Sequence, residues 1–93
     1  MVALRHLEIL RAVAAEGSLA RAARRLHYSQ PTVTYHLTNL ERHFGTRLVD
    51  RGPRGASLTE AGAVLLPHAE AVVARMAAAR SEVLAVVASG RGQ

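Results

Sequence analysis

The sequence has no cysteine, no lysine and no apolar run approaching the roughly 18 residues of a membrane span. Each absence removes a class of function. Without cysteine there is neither a disulfide framework nor a thiolate metal site, and a reducing compartment is permitted. Without a long apolar run or a signal-peptide pattern, the expected setting is soluble and cytoplasmic, with no membrane contact. No nucleophile stands with a base and an orienting group, and there is no Gly-rich phosphate loop. A chain of 93 residues is also too short to enclose a pocket, so no enzyme is expected. The five His residues lack close Cys or carboxylate partners; His36 and His43 share a helix side, while His6, His27 and His68 are scattered. Packing or surface roles outweigh metal binding for them, and neither metal nor cofactor is expected. A domain this small buries only about 60–65% of its unfolded surface, so its core is marginal and association would help.

What the sequence does have is unevenly placed positive charge. The formal net charge is +5, and all of it belongs to residues 1–58, with nine Arg against four acids. Residues 59–93 balance three Arg against three acids. A polyanion partner is therefore expected for the N-terminal part alone. All twelve basic residues are Arg; GC-rich coding would produce the same bias, so it carries little weight.

The organising stretch is Ser29 to Gly45. Val33, Leu37, Leu40 and Phe44 recur at spacings of 4, 3 and 4, which predicts one apolar helix stripe. Pro31, Tyr35, Thr38 and Arg42 lie opposite, flanked by Thr34 and Asn39. Ser29 suits the N-cap, Pro31 the first turn and Gly45 a left-handed C-terminal residue. Hydroxyls, an amide and a phenol on the outward face can read base edges, whereas a merely solvated face usually carries Glu and Lys. Taken alone, an ordinary amphipathic core helix is the better reading of this segment; its surroundings favour a DNA recognition helix.

Upstream, Leu4 to Glu16 is predicted as a helix with Leu7, Leu10 and Ala14 inward and Ile9 and Val13 widening the stripe. Gly17 ends it, Ser18 caps a short helix from Leu19 to Leu26, and His27-Tyr28 turn into Ser29. This is a helix-turn-helix outline, which many bundles that do not bind DNA also have. Downstream, residues 48–51 and 56–58 are strand candidates around the turn Gly52-Pro53-Arg54-Gly55, a wing bearing Arg at and beside its tip. Thr59 caps a long helix from Glu60 to about Ala88, in which ten of residues 59–88 are Ala. Leu65, Ala69, Val72, Met76, Ala79, Val83 and Val86 repeat at heptad-like spacing, and a helix this long has more apolar surface than the head can cover. They are the predicted interface of a homodimer. Pro67 is expected to kink the helix near its start. The fold class is therefore mostly α: a winged helix-turn-helix over 1–58, a linker and dimerisation helix over 59–88, and a flexible tail or hinge over 89–93.

The chain also resembles the N-terminal domain and linker helix of LysR-type transcriptional regulators, over about residues 2–88. The resemblance rests on Leu4-Arg5-His6-Leu7, Glu16-Gly17-Ser18-Leu19, Ala22-Ala23 with Leu26, and Ser29-Gln30-Pro31. It continues through Leu40-Glu41, Gly45 with Leu48 and Arg51, and Leu58-Thr59-Glu60-Ala61-Gly62. It implies a bacterial regulator whose dimer, with antiparallel linker helices, binds double-stranded DNA at an imperfect inverted repeat near a promoter. Any small-molecule effector would act through a larger domain absent from this chain. Thr34 and Tyr35 stand where the family commonly has Ser and Arg, Thr38 near a usual basic residue, and Leu19 and Val49 where Phe is usual.

By resemblance and by face, Gln30, Pro31, Thr34 and Tyr35 are the expected major-groove base contacts. Ser29, Thr32, Thr38, Arg42, Arg51 and Arg54 are expected on phosphate or sugar. A protein-interaction module, zipped through the long helix with a structural head, is the alternative from another class. The basic head, the uncharged polar face and the Arg-bearing wing favour DNA.

Overall fold

Short polar caps and left-handed residues set the helix boundaries, and the computed structural model, which describes residues 1–90, places the helices between those signals. Helix α1 runs Leu4–Glu16, α2 Leu19–Leu26, α3 Gln30–Phe44 and α4 Glu60–Ala88; strands β1 Val49–Gly52 and β2 Gly55–Leu58 lie between α3 and α4. The side-chain oxygens of Ser18, Ser29 and Thr59 accept from the backbone N–H of Arg21, Thr32 and Gly62 at 3.1, 3.3 and 3.1 Å. Each such cap stabilises its helix by about 1 kcal/mol. Gly17 and Gly45 close α1 and α3 with φ of 65° and 70°, and His27 closes α2 at 61°. Only α1 lacks a hydroxyl or amide cap. There the Nδ1 of His6 accepts from the Ala3 N–H at 3.1 Å, the returning half of a capping box with imidazole in place of Glu.

α1 is the centre of the head, packed against α2, α3, β2 and α4. Ile9, Leu10, Val13, Val33, Leu37, Leu40, Leu48 and Val49 are fully buried, each worth about 1.5–3 kcal/mol relative to exposure. Because α1 is enclosed on several sides, its buried arc is wider than a single stripe. Ala12 and His6 are buried as well, while Ala14, expected inside, is only half-buried.

The apolar stripe of α3 ends earlier than its spacing predicts. Phe44 is 47% exposed, and Glu41, one turn before it, is 7% exposed. The helix stops at Gly45, so nothing beyond it covers Phe44. Glu41 is turned inward because backbone amides of the following segment need an acceptor there.

β1 and β2 pair antiparallel with Val49 opposite Leu58 and Gly52 opposite Gly55, leaving Pro53 and Arg54 as the tip. The wing is fastened to the α1–α2 corner, where the Ala56 N–H donates to the Gly17 carbonyl at 2.9 Å. Gly55 has φ of 123°, and a Cβ on it would collide with that same carbonyl oxygen. No side chain fits there.

α4 stays helical through Pro67. Leu65, Ala69 and Val73 lie against the head, and every described residue after Val73 is exposed. This corrects the predicted seam at one end: Ala69 is 0% exposed within its own chain and has no surface to offer a partner. Leu65 is half-buried. The cause is a rotation of the seam, since α1 takes the Ala69 side and leaves Val64 and His68 outward. Val72, Met76, Ala79, Val83 and Val86 remain exposed as predicted. No helix of the described residues is long and apolar enough to cross a membrane. The expected hinge over 89–93 lies, from residue 91, outside the described residues.

Candidate nucleic-acid interface

The N-terminal turns of α3 carry the candidate contacts because Ser29 starts the helix in the open. Gln30, Pro31, Thr34 and Tyr35 line one open depression, so the four predicted base-contact residues share a surface. Tyr35 is 64% exposed. Gln30 and Thr34 also form one wall of a cleft whose other walls are Ser18 to Ala20 at the start of α2 and Arg51 to Pro53 in the wing. The structure thus brings together the starts of two helices and one flank of a hairpin. Helix starts carry unpaired N–H groups and a partial positive charge, so phosphate is favoured at such a place.

The predicted backbone contacts divide. Thr38 lies half-buried one turn beyond Thr34, and Arg54 stands exposed at the wing tip. Ser29 and Thr32 are accessible, but their hydroxyl oxygens bond each other at 2.8 Å as part of the N-cap, so each keeps only part of its capacity for a ligand. Arg42 is not brought to the patch. At 1.5 Å per residue it stands about 18 Å along α3 from Gln30, where its Nη1 donates to Asn39 Oδ1 at 3.4 Å. Arg51 lines the cleft beside Gln30 and Thr34, but its Nη2 lies 3.7 Å from Glu41 Oε1, with the side chain 32% exposed.

Behind the patch lies a cluster of rings. His36 sits 5.3 Å from His6, 5.4 Å from Tyr35 and 6.2 Å from Tyr28, centroid to centroid. His6, scattered in sequence terms, is therefore paired in space with a residue of the recognition helix. Burial lowers the His6 pKa from its ordinary 6.5, and His36, Arg5 and the N-terminal amine lower it further. A neutral ring is what the cap on α1 requires, since only unprotonated Nδ1 can accept the Ala3 N–H. His36 Nδ1 is buried without a hydrogen-bond partner among the described residues.

Sequence reasoning missed Ser18 to Ala20 and Glu41. The first had a signal, since a capped helix start preceding a recognition helix commonly crosses the backbone. Glu41 had a signal only in the family resemblance, because its partners, from Arg47 to Arg51, belong to the following segment and β1. Among the described residues no three or more His, Cys, Asp or Glu side chains are grouped to hold a metal ion.

Comparison with known proteins agrees with this geometry. A profile of bacterial regulatory helix-turn-helix proteins of the lysR family matches residues 4–63. A "Probable RuBisCO transcriptional regulator" of Nostoc sp. is 50% identical over 70 residues, covering 75% of this chain and 21% of the relative. The HTH-type transcriptional regulator TfdS of Cupriavidus pinatubonensis is 49% identical over 65 residues, covering 70% and 22%. The chain thus spans about a fifth of the length of these relatives. Among solved structures, the CbnR DNA-binding domain in complex with DNA superposes with a TM-score of 0.77 at 39% identity, covering 89% of this chain and 98% of that one. The BenM DNA-binding domain on benA site 1 DNA gives 0.83 at 29% identity, covering 91% and 96%. By its sequence and its fold, this chain belongs to the LysR family of bacterial regulatory helix-turn-helix proteins.

Proposed function

We propose that this chain is the DNA-binding part of a bacterial LysR-type transcriptional regulator and that it binds an inverted-repeat promoter site as a homodimer. One observation carries the reading: Gln30, Pro31 and Tyr35, with half-buried Thr34, line one open, uncharged patch at the open end of α3, beside the wing. Gln30 donates and accepts together, which suits adenine; Pro31 and the Thr34 methyl suit a thymine methyl. Tyr35 reaches a base or a phosphate. Ser29, Thr32, Thr38 and Arg54 hold the backbone, and the start of α2 joins them. The DNA complexes of CbnR and BenM support DNA binding by a domain of the same fold.

Residues 59–88 join two copies. From Ala61 through Val64, Leu65 and His68 an open apolar groove runs beside Phe44 and Leu48, and it is continuous with the exposed stripe Val72, Met76, Ala79, Val83 and Val86. The protein works in the cytoplasm and has no catalytic role. Effector recognition belongs to the remaining four fifths of such regulators' length.

The test is selection of duplexes from a random pool by the purified chain, followed by affinity at low and moderate salt. Enrichment of an inverted repeat with half-sites an integral number of helical turns apart is the expected result. Binding without enrichment that vanishes as salt rises would overturn it and leave a basic surface without a code.

A further inference from the structure

Glu41 stands in the last turn of α3, where the helix dipole disfavours a negative charge. It is nonetheless buried. Its Oε2 accepts from the N–H of Leu48 at 2.8 Å and of Val49 at 3.2 Å, the first amides of the segment leading into the wing. Arg47 Nε lies 3.6 Å from Oε2, and Arg51 Nη2 lies 3.7 Å from Oε1. The Leu48 carbonyl accepts from the Thr59 N–H at 3.0 Å, and the Arg47 carbonyl from the Thr59 hydroxyl at 2.8 Å. One carboxylate therefore ties the end of the recognition helix to the root of the wing, and through two backbone carbonyls to the cap of the linker helix.

A locally unfavourable charge that four groups converge on is placed for a task other than helix stability. We infer that Glu41 is a positioning residue for DNA binding: it fixes the angle between α3 and the wing, so that Arg54 meets the backbone while Gln30 and Thr34 occupy the groove. Arg51 serves the same clamp and is not a phosphate contact. This rests on the reading of the wing as part of the DNA interface.

The experiment is a double-mutant cycle between Glu41 and Arg54, which share no contact. Affinity for the selected duplex is measured across a salt series for the full chain, Glu41→Gln, Arg54→Ala and the double variant, well below their melting temperatures. Arg54→Ala alone should weaken binding about three- to tenfold and reduce the salt slope by about one unit. In the Glu41→Gln background it should have no further effect on either quantity, because the tip is already out of reach. A merely structural role for Glu41 would lower the melting temperature and leave the factor due to Arg54 intact. Additive losses would overturn the inference. Arg51→Gln keeps Glu41 and Arg47 in place and provides the second route, should Glu41→Gln not fold. It should show the same non-additivity, and an independent loss of about one more slope unit would make Arg51 a phosphate contact and sink the clamp. Failure of the unaltered chain to bind any selected duplex would overturn the DNA-binding reading itself, a result separable from additive losses in a chain that binds.

Discussion

Gln30 and Thr34 are four residues apart on α3, so their side chains rise from adjacent turns of one face. Neither belongs to the buried core. Truncating either should therefore leave the melting temperature close to that of the parent chain and act on recognition alone. Gln30→Ala or Thr34→Ala is expected to cost about 1–3 kcal/mol on the preferred duplex and to relax selection at one base pair per half-site. Repeating the pool selection with each variant checks this, and an unchanged preferred sequence for both would remove them from the list of base contacts. His6 gives a prediction of a different kind. Its folded pKa lies below 6.5, so the unfolded chain binds more protons in the window just below that value. The stability due to its neutral ring is complete above the unfolded pKa and is lost as pH falls through the folded one. The groups around it (Arg5, the N-terminal amine and His36, with Arg42 and His43 lining the same surface) include no carboxylate that would offset the charge. His6→Gln can still return a side-chain acceptor to the Ala3 N–H without titrating. Thermal melts from about pH 7.5 to about pH 5.5 should cost the parent chain more than the variant. Equal losses would move the acid sensitivity elsewhere.

Elements were legible wherever their signals are local. Ser18, Ser29 and Thr59 as caps and Gly17 and Gly45 as left-handed ends are readable within a few residues, and the helices begin and end beside them. The exceptions come from contacts distant in sequence. Period alone assigns Phe44 to the core and places Glu41 only at the edge of the apolar stripe, but the amides of Leu48 and Val49 draw Glu41 inside while Phe44 stays 47% exposed. Heptad spacing assigns Ala69 to a partner, but α1 claims it first. The surface shared by Gln30, Pro31, Thr34 and Tyr35 was readable because one helix supplies it; the cleft beside it was not, because three elements do. Gly62 shows the same conflict in an energy with a definite sign. In the first turn of α4 helix propensity favours Ala over Gly by about 1 kcal/mol. Here a Cβ would collide with the Leu48 carbonyl oxygen at the wing root. Displacing packed backbone typically costs about 1–3 kcal/mol, so Gly62→Ala should destabilise the chain by up to about 2 kcal/mol in urea unfolding. A gain in stability would mean that the wing root yields easily, and the wing would then be a loosely held element.

At the scale of the whole molecule, the unfinished surface is α4. Its 29 residues extend the molecule to 52 Å, and beyond Val73 nothing among the described residues covers it. Exposed Val72, Met76, Val83, Leu84, Val86 and Val87 are apolar surface of the kind a second copy buries. If two copies pair antiparallel, as the family resemblance implies, the two-fold axis passes near Met76. Val86 of one copy then reaches the Leu65 end of the other, filling the groove beside Phe44. Met76→Glu would set two carboxylates against each other and should weaken association by at least about tenfold, measured by sedimentation equilibrium. Mixing Met76→Glu chains with Met76→Arg chains should restore the pair, since the position faces itself. Val83 separates the two arrangements. In a parallel pair it too faces itself, and a mixture of Val83→Glu and Val83→Arg chains would recover. In an antiparallel pair Val83 faces the His68 region of the other copy, so that mixture should stay dissociated. Recovery of the Val83 mixture would exclude the antiparallel pairing, and with it the groove beside Phe44 as the place where the second helix ends.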